Sequence, residues 1–272
     1  MKPVVFAAIP FVAALLTWTG SAAQDNTPVY QGEAAEHFLR SARVARVRSV
    51  GEGVTAPRRA TLERGGITQD AALKDIDFTR PGVTQLDDGT VIFNMEDNWR
   101  FEVAAYRIDR MIGLGLVPAT VEREYRGKPG SLQWWVESEY SEAERQRRNL
   151  QPPNAEQWDR QLLKMRLFDN LLFNWDRHTN NILVTRDFEL RLIDHSRAFL
   201  AYSDLRRPEE LSRFSRSLLA GIERLTRDDL RRQVGRYIEA SKINALLERR
   251  DKLLELARTR VKERGEAAAL YP

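Results

Sequence analysis

One window of the chain restricts its fold more than any other: Leu172-Phe173-Asn174-Trp175-Asp176-Arg177-His178-Thr179-Asn180-Asn181-Ile182-Leu183, with Leu192-Ile193-Asp194 beyond it. Upstream, Gln157 to Phe173 carries Leu162, Leu163, Met165, Leu167, Phe168 and Leu172 on an apolar helical stripe. Downstream, Ile182-Leu183-Val184 and Leu190 to Ile193 read as two short strands around Thr185-Arg186-Asp187. A helix, a polar loop and a hairpin in that order set Asp176 and Asn181 five positions apart, with Asp194 on the far side of the hairpin. Helix capping by Asp176 and a turn at Asn181 would explain each residue singly, but neither needs that spacing.

The rest of the chain divides into two unlike halves. Ala42 to Val50 alternates Val44, Val47 and Val50 with Arg43, Arg46 and Arg48, as a strand would. Gly51-Glu52-Gly53 breaks it, and Val54 to Leu62, Gly65-Gly66 and Ile67 to Ile76 read as a hairpin whose second strand ends at Ala72-Leu73-Lys74. Asn98 is placed to cap a helix from Trp99 to Leu114. Val117 to Glu124 and Ser131 to Glu137 suggest a second hairpin around Arg126 to Gly130. After Pro153 the pattern becomes mainly helical and stays so to about Arg264. The expected architecture is α+β and two-lobed: a strand-rich N-lobe with one helix over 42–137, then a mainly helical C-lobe over 138–272.

Phosphoryl transfer needs a carboxylate to orient the attacking hydroxyl, and an Asn with a second carboxylate to hold a divalent metal. Asp176, Asn181 and Asp194 meet that template. Their hard oxygens suit Mg²⁺ or Mn²⁺. The template asks for further features upstream, and they occur in order. Gly51, Gly53 and Thr55 form a sparse glycine loop whose neighbours Arg58 and Arg59 are placed to contact phosphates. Lys74 ends the strand after that loop, and Glu102 lies on the next helix, where it would pair with Lys74. Gln133 to Glu137 is the expected crossing strand, so Trp135, Val136 and Glu137 are candidates for holding the nucleotide base, while Trp134-Trp135 also packs between the lobes.

The Asp-Arg-His-x-x-Asn-Ile-Leu run followed by Ile-Asp resembles the catalytic and metal-binding segments of the phosphatidylinositol 3-/4-kinase-like superfamily. That atypical branch includes HipA-like bacterial kinases and the secretory-pathway casein kinases of the Golgi. The resemblance implies a protein-kinase-like fold over about Ser41 to Arg264 and an ATP-dependent transfer to a hydroxyl acceptor. It also implies Asp176 as catalytic aspartate, His178 as a γ-phosphate contact, and Asn181 and Asp194 as metal ligands. Arg177 would be structural or phosphate-positioning. Ile243 to Glu255 is similar to a terminal helix of several bacterial members. Where the superfamily commonly has Phe-Gly or Asn-Gly after the metal-binding Asp, this chain has His195-Ser196, which removes a glycine's backbone freedom.

Composition removes competing chemistries. There is no cysteine, so disulfide scaffolds, thiolate metal sites and cysteine nucleophiles are excluded. Three histidines, His37, His178 and His195, cannot build a zinc-ligand spacing. No Gly-x-Ser-x-Gly occurs to suggest a serine hydrolase. A formal charge of +4 does not argue for nucleic acid. Arg206 to Arg264 is more strongly basic, with 17 basic and 10 acidic residues, which reads as a solvated face or as a contact with an anionic membrane surface. At the N-terminus, Lys2, the apolar run Val4 to Trp18 and Ser21-Ala22-Ala23 read as a signal peptide over 1–23, with an uncleaved anchor as the alternative. Residues 24–41, polar from Asp25 to Glu36, would be a tether. An exported protein raises a second reading, a pseudokinase that binds a nucleotide or partner without catalysis. The acceptor and the oligomeric state are not written in the sequence.

Overall fold

The computed structural model describes residues 31–50, 58–86 and 89–272. The expected signal peptide over 1–23 and the expected glycine loop with Gly51, Gly53 and Thr55 lie outside the described residues.

The expected tether ends in a helix, α1 (Glu33–Ser41). Ala35, Phe38 and Leu39, at helical spacing, are buried in the main core. Arg123 secures the helix by donating to the Leu39 carbonyl at 2.7 Å. Glu33, His37 and Arg40 are exposed on the outer face of this helix.

Five antiparallel strands follow as one sheet. They are β1 (Arg43–Ser49), β2 (Arg58–Arg64) and β3 (Ile67–Lys74), then β6 (Thr120–Tyr125) and β7 (Lys128–Trp134), in the order β1-β2-β3-β7-β6. Gly65 and Gly66 turn β2 into β3 with φ of 56° and 80°, as their sequence position requires. The β6–β7 connection is tighter than expected. Arg126 and Gly127 alone make it, both at positive φ (52° and 78°), the backbone a two-residue hairpin needs. Pairing therefore continues through Lys128 and Pro129, which sequence had assigned to the turn.

Between β3 and the N-lobe helix stands a two-stranded arm absent from the sequence reading: β4 (Asp77–Gln85) and β5 (Val91–Asn98). Pro81-Gly82 and a left-handed Asn94 interrupt its alternation, which hid it. Ile92 roots the arm on Phe173 and Leu200, while Phe78, Val83, Val91 and Phe93 are exposed. The Asn98 side chain caps α2 (Trp99–Ile112) by accepting from Arg100 N–H. Helix α2 is buried between β6 and β7 on one side and α5 (Arg216–Glu223) and α6 (Arg227–Val234) on the other. At its end the buried Asp109 accepts N–H groups from Gly115, Leu116 and Val117, shaping the turn into β6.

The second lobe begins with β8 (Tyr140–Ser141) and α3 (Glu142–Arg147), then α4 (Ala155–Leu172). A hairpin of β9 (Ile182–Val184) and β10 (Leu190–Leu192) falls where the sequence placed it. After β11 (Phe214–Ser215), α5 and α6 come α7 (Ala240–Arg264), α8 (Glu266–Ala269) and β12 (Leu270–Tyr271), which pairs with β11 in parallel. Buried Arg249 of α7 donates to the carbonyls of Leu171, Leu200 and Tyr202, tying α7 to the end of α4. None of the described helices is long and apolar enough to cross a membrane.

Candidate active site

A cleft of about 770 Å³ separates the sheet from the α4–β9–β10 region. Lys74, Trp135, Val136 and Glu137 line one side; Asp176, His178, Asn181 and Asp194 line the other.

Lys74 is the centre of its charge network. Its Nζ donates to Glu102 Oε1 at 2.5 Å and to Asp194 Oδ1 at 2.8 Å. Burial disfavours the ammonium, but the two carboxylates outweigh it and hold the Lys74 pKa above its usual value. Glu102 is 1% exposed and faces the same competition: burial pushes its carboxyl up, and Lys74, then His195, bring it well below the ordinary range. Glu102 does not line the cleft; it orients Lys74 from behind, and its Oε2 accepts the His195 N–H at 3.1 Å.

The loop before β9 is held by Arg177, which is turned away from the cleft. Its guanidinium grips Asp169 of α4, and its Nη1 donates to the carbonyls of Asn181 (3.0 Å) and Ile193 (2.6 Å). The same side chain places Nη2 2.8 Å from His195 Nε2. Arg177 is therefore structural: it fixes the two chain segments that carry Asn181 and Asp194.

Asp194 has a φ of 59°, in the left-handed region that Asp tolerates better than most residues. Neither His195 nor Ser196 has positive φ, so the missing glycine is not needed there. The His195 ring is fully buried, edge-on to Phe168, and burial with the nearby Arg177 charge keeps its pKa below the usual value.

Asn181 donates through Nδ2 to His178 Nε2 at 3.0 Å, which points its carbonyl oxygen away from that partner. Asp194 Oδ1 is occupied by Lys74 and by Ser196 Oγ at 3.2 Å, leaving Oδ2. One amide oxygen and one carboxylate oxygen at a cleft wall fit Mg²⁺ or Mn²⁺, which take few protein ligands and complete their shell with phosphates and water. Among the described residues no group of three or more His, Cys, Asp or Glu is placed to hold a metal ion.

Asp176 is half-buried, and burial raises its pKa above that of an ordinary aspartate, partly opposed by Arg197. Arg197, not singled out from the sequence, donates from Nη1 to Asp176 Oδ2 and from Nε to the buried Asp97 Oδ2, each at 2.9 Å. The base-binding candidates are not equivalent. Trp135 N–H donates to the Asp70 carbonyl at 3.0 Å and its carbonyl accepts from Gln69 Nε2 at 3.1 Å, so its main chain is engaged. Val136 and Glu137 take part in no main-chain hydrogen bond with another described residue. Arg59 lines the cleft but is held by Asp70 at 2.5 Å and lies over the Trp135 ring at 4.3 Å. Arg58 points elsewhere and pairs with Asp75.

The chain has a kinase-like fold. Hydra Fam20, solved with sugar, superposes with a TM-score of 0.63 at 12% identity, over 86% of this chain and 90% of that one. The Golgi casein kinase with Mn/ADP bound gives 0.59 at 14% identity, over 86% and 77%. The Helicobacter pylori proinflammatory kinase CtkA gives 0.56 at 13%, over 83% and 97%. No protein-family model and no curated protein matches the sequence.

Proposed function

We propose that the chain is an ATP-dependent phosphotransferase of the atypical, phosphatidylinositol 3-/4-kinase-like type, acting on a hydroxyl acceptor. The observation that carries the reading is Lys74 contacting both Glu102 and Asp194, with Asp176 and Asn181 on the same cleft wall as Asp194. Val136 and Glu137 would hold the base, and Lys74 the phosphates. Asn181 and Asp194 would hold Mg²⁺ or Mn²⁺, which supplies neutralisation of phosphate charge. Asp176 would accept the acceptor's proton as its oxygen bonds to the γ-phosphorus and the bond to the β-phosphate oxygen breaks, releasing ADP. The raised Asp176 pKa suits that role, because a more basic carboxylate takes a proton more readily. His178, exposed beside Asn181, would contact the γ-phosphate. The arginine-rich C-terminal helices leave an anionic membrane as a place for the acceptor, and the N-terminal pattern favours export.

Thermal unfolding with ATP and Mg²⁺ or Mn²⁺ tests the site. Ligand at about 100 times its Kd stabilises a fold by about 2.7 kcal/mol, so a metal-dependent upward shift is expected, and Asp194→Ala should abolish it. Asp176→Ala should keep that shift and lose transfer of labelled γ-phosphate. A shift independent of metal, with no turnover, would favour the binding-only reading. No shift with any nucleotide would end the proposal.

A further inference from the structure

We propose that the outer edge of β1 is a docking strip for an acidic peptide in extended conformation, independently of the phosphotransferase reading. Six consecutive residues, Val44 to Ser49, line one side of a groove of about 770 Å³. Side chains of a strand alternate between faces, so a groove that touches six in a row runs along the strand's edge. Among the described residues β1 pairs only with β2, and the backbone groups on its other side bond to none of them.

The far wall is Tyr125 with Arg126, from the tip of the β6–β7 hairpin. Four arginines line the groove, Arg46, Arg48, Arg58 and Arg126, and no carboxylate does. Arg58 is bridged to Asp75 at 2.7 Å, whereas Arg46, Arg48 and Arg126 form no ion pair with a described carboxylate. Charged side chains on an edge strand often serve only to block unwanted pairing. A guard of that kind needs no second wall, yet here the Tyr125 ring carries Arg58 at 6.0 Å and Arg126 at 5.3 Å and closes the groove.

The occupant follows from two demands. Unpaired N–H and C=O groups along an edge are met by a strand added to the sheet. Arg46 and Arg48, two positions apart, share one face, so carboxylates at alternate positions of that added strand would meet both. Strand β2 is common to both sites: Arg58 faces the groove and its neighbour Arg59 faces the cleft. A bound acidic segment would therefore lie one strand away from the nucleotide cleft.

Fluorescence anisotropy with the full chain tests this, using a labelled peptide of alternating Glu and Val. Controls are the alternating Lys-Val peptide and a Glu-Val peptide N-methylated at alternate amides. The Glu-Val peptide should bind and the Lys-Val peptide should not. Arg46→Glu with Arg48→Glu should weaken binding about tenfold or more, and N-methylation should do the same. Arg126→Glu, on the other wall, provides a second variant should the first lose its fold. Binding that ignores both charge reversal and N-methylation would overturn the proposal. So would sedimentation with phosphatidylserine vesicles that depends on these arginines while the peptide fails to bind.

Discussion

Arg197 Nη1 stands 2.9 Å from Asp176 Oδ2 while Nε of the same guanidinium holds Asp97 Oδ2 at the same distance. A single side chain thus joins the candidate proton acceptor to the strand that leads into α2. Nearby, the Asn98 N–H donates to the Ser196 carbonyl at 2.8 Å, and the His195 N–H donates to Glu102. The segment after Asp194 is therefore fastened at three points to the passage from β5 into α2: at Asp97 and Asn98 on the end of β5, and at Glu102 on α2, the helix that positions Lys74.

Replacing this guanidinium should cost both stability and turnover. Asp97 is 2% exposed, and Arg197→Met would leave its carboxylate buried without a cation. Loss of one partner of a buried pair costs about 3 kcal/mol, which urea unfolding would read. Asp176 would lose its counter-charge, and its raised pKa would move further up. If turnover is present, its acid limb should then shift to higher pH in Arg197→Met. An unchanged urea midpoint would show that the bridge carries no load.

Lys74 and Glu102 should behave as a unit. Lys74→Met leaves Glu102, 1% exposed, with only the His195 N–H as a described donor. The expected destabilisation is about 3 kcal/mol. In the double variant Lys74→Met with Glu102→Leu the fully buried charge is gone and only Asp194, 23% exposed, loses its cation, so the loss should be less than the sum of the two single losses. Additive losses in that cycle would contradict the pairing at 2.5 Å.

How much of this was legible follows from distance along the chain. Asp176, Asn181 and Asp194 lie on one continuous helix–loop–hairpin passage, so spacing alone placed them together. Lys74 and Glu102 were found because a strand end and a helix with clear periodicity carry them. Arg197 and Asp97 are a hundred positions apart, and a bridging arginine has no periodic signature. Trp135 illustrates a different limit, since sequence named the crossing segment but not that β3 already uses its main chain. The β4–β5 arm was missed because its bulge breaks the alternation, and α1 because its polar outer face outweighed Ala35, Phe38 and Leu39.

His195 should make the fold sensitive to mild acid. Its folded pKa is depressed, so the unfolded chain binds a proton more readily than the folded one. The stability it contributes is full above the unfolded value, about 6.5, and is lost as pH falls through the folded value. Urea unfolding between pH 7.5 and 5 should show a fall that His195→Gln reduces, since Gln can accept from Arg177 but takes no proton. Identical slopes for the two proteins would mean that His195 is not the titrating group.

Gly130 should report on Lys74 without touching any charged group. It lies on β7, one position before Ser131, the partner of Lys74 in the sheet. A Cβ at Gly130 would fall 2.5 Å from the Lys74 carbonyl and 3.3 Å from the Asp75 Cβ. Backbone on both sides must then part, and the end of β3 that aims Lys74 moves with it. Gly130→Ala should lower stability by about 1–3 kcal/mol and weaken the nucleotide-induced thermal shift as well. Gly127→Ala makes the comparison: Gly127 has φ of 78° and nothing within 4 Å of an added Cβ, so only backbone strain, about 1 kcal/mol, is expected. The two variants should separate in nucleotide response, not merely in Tm. Equal thermal shifts for both would show that the position of the β3 end does not govern the Lys74 contact.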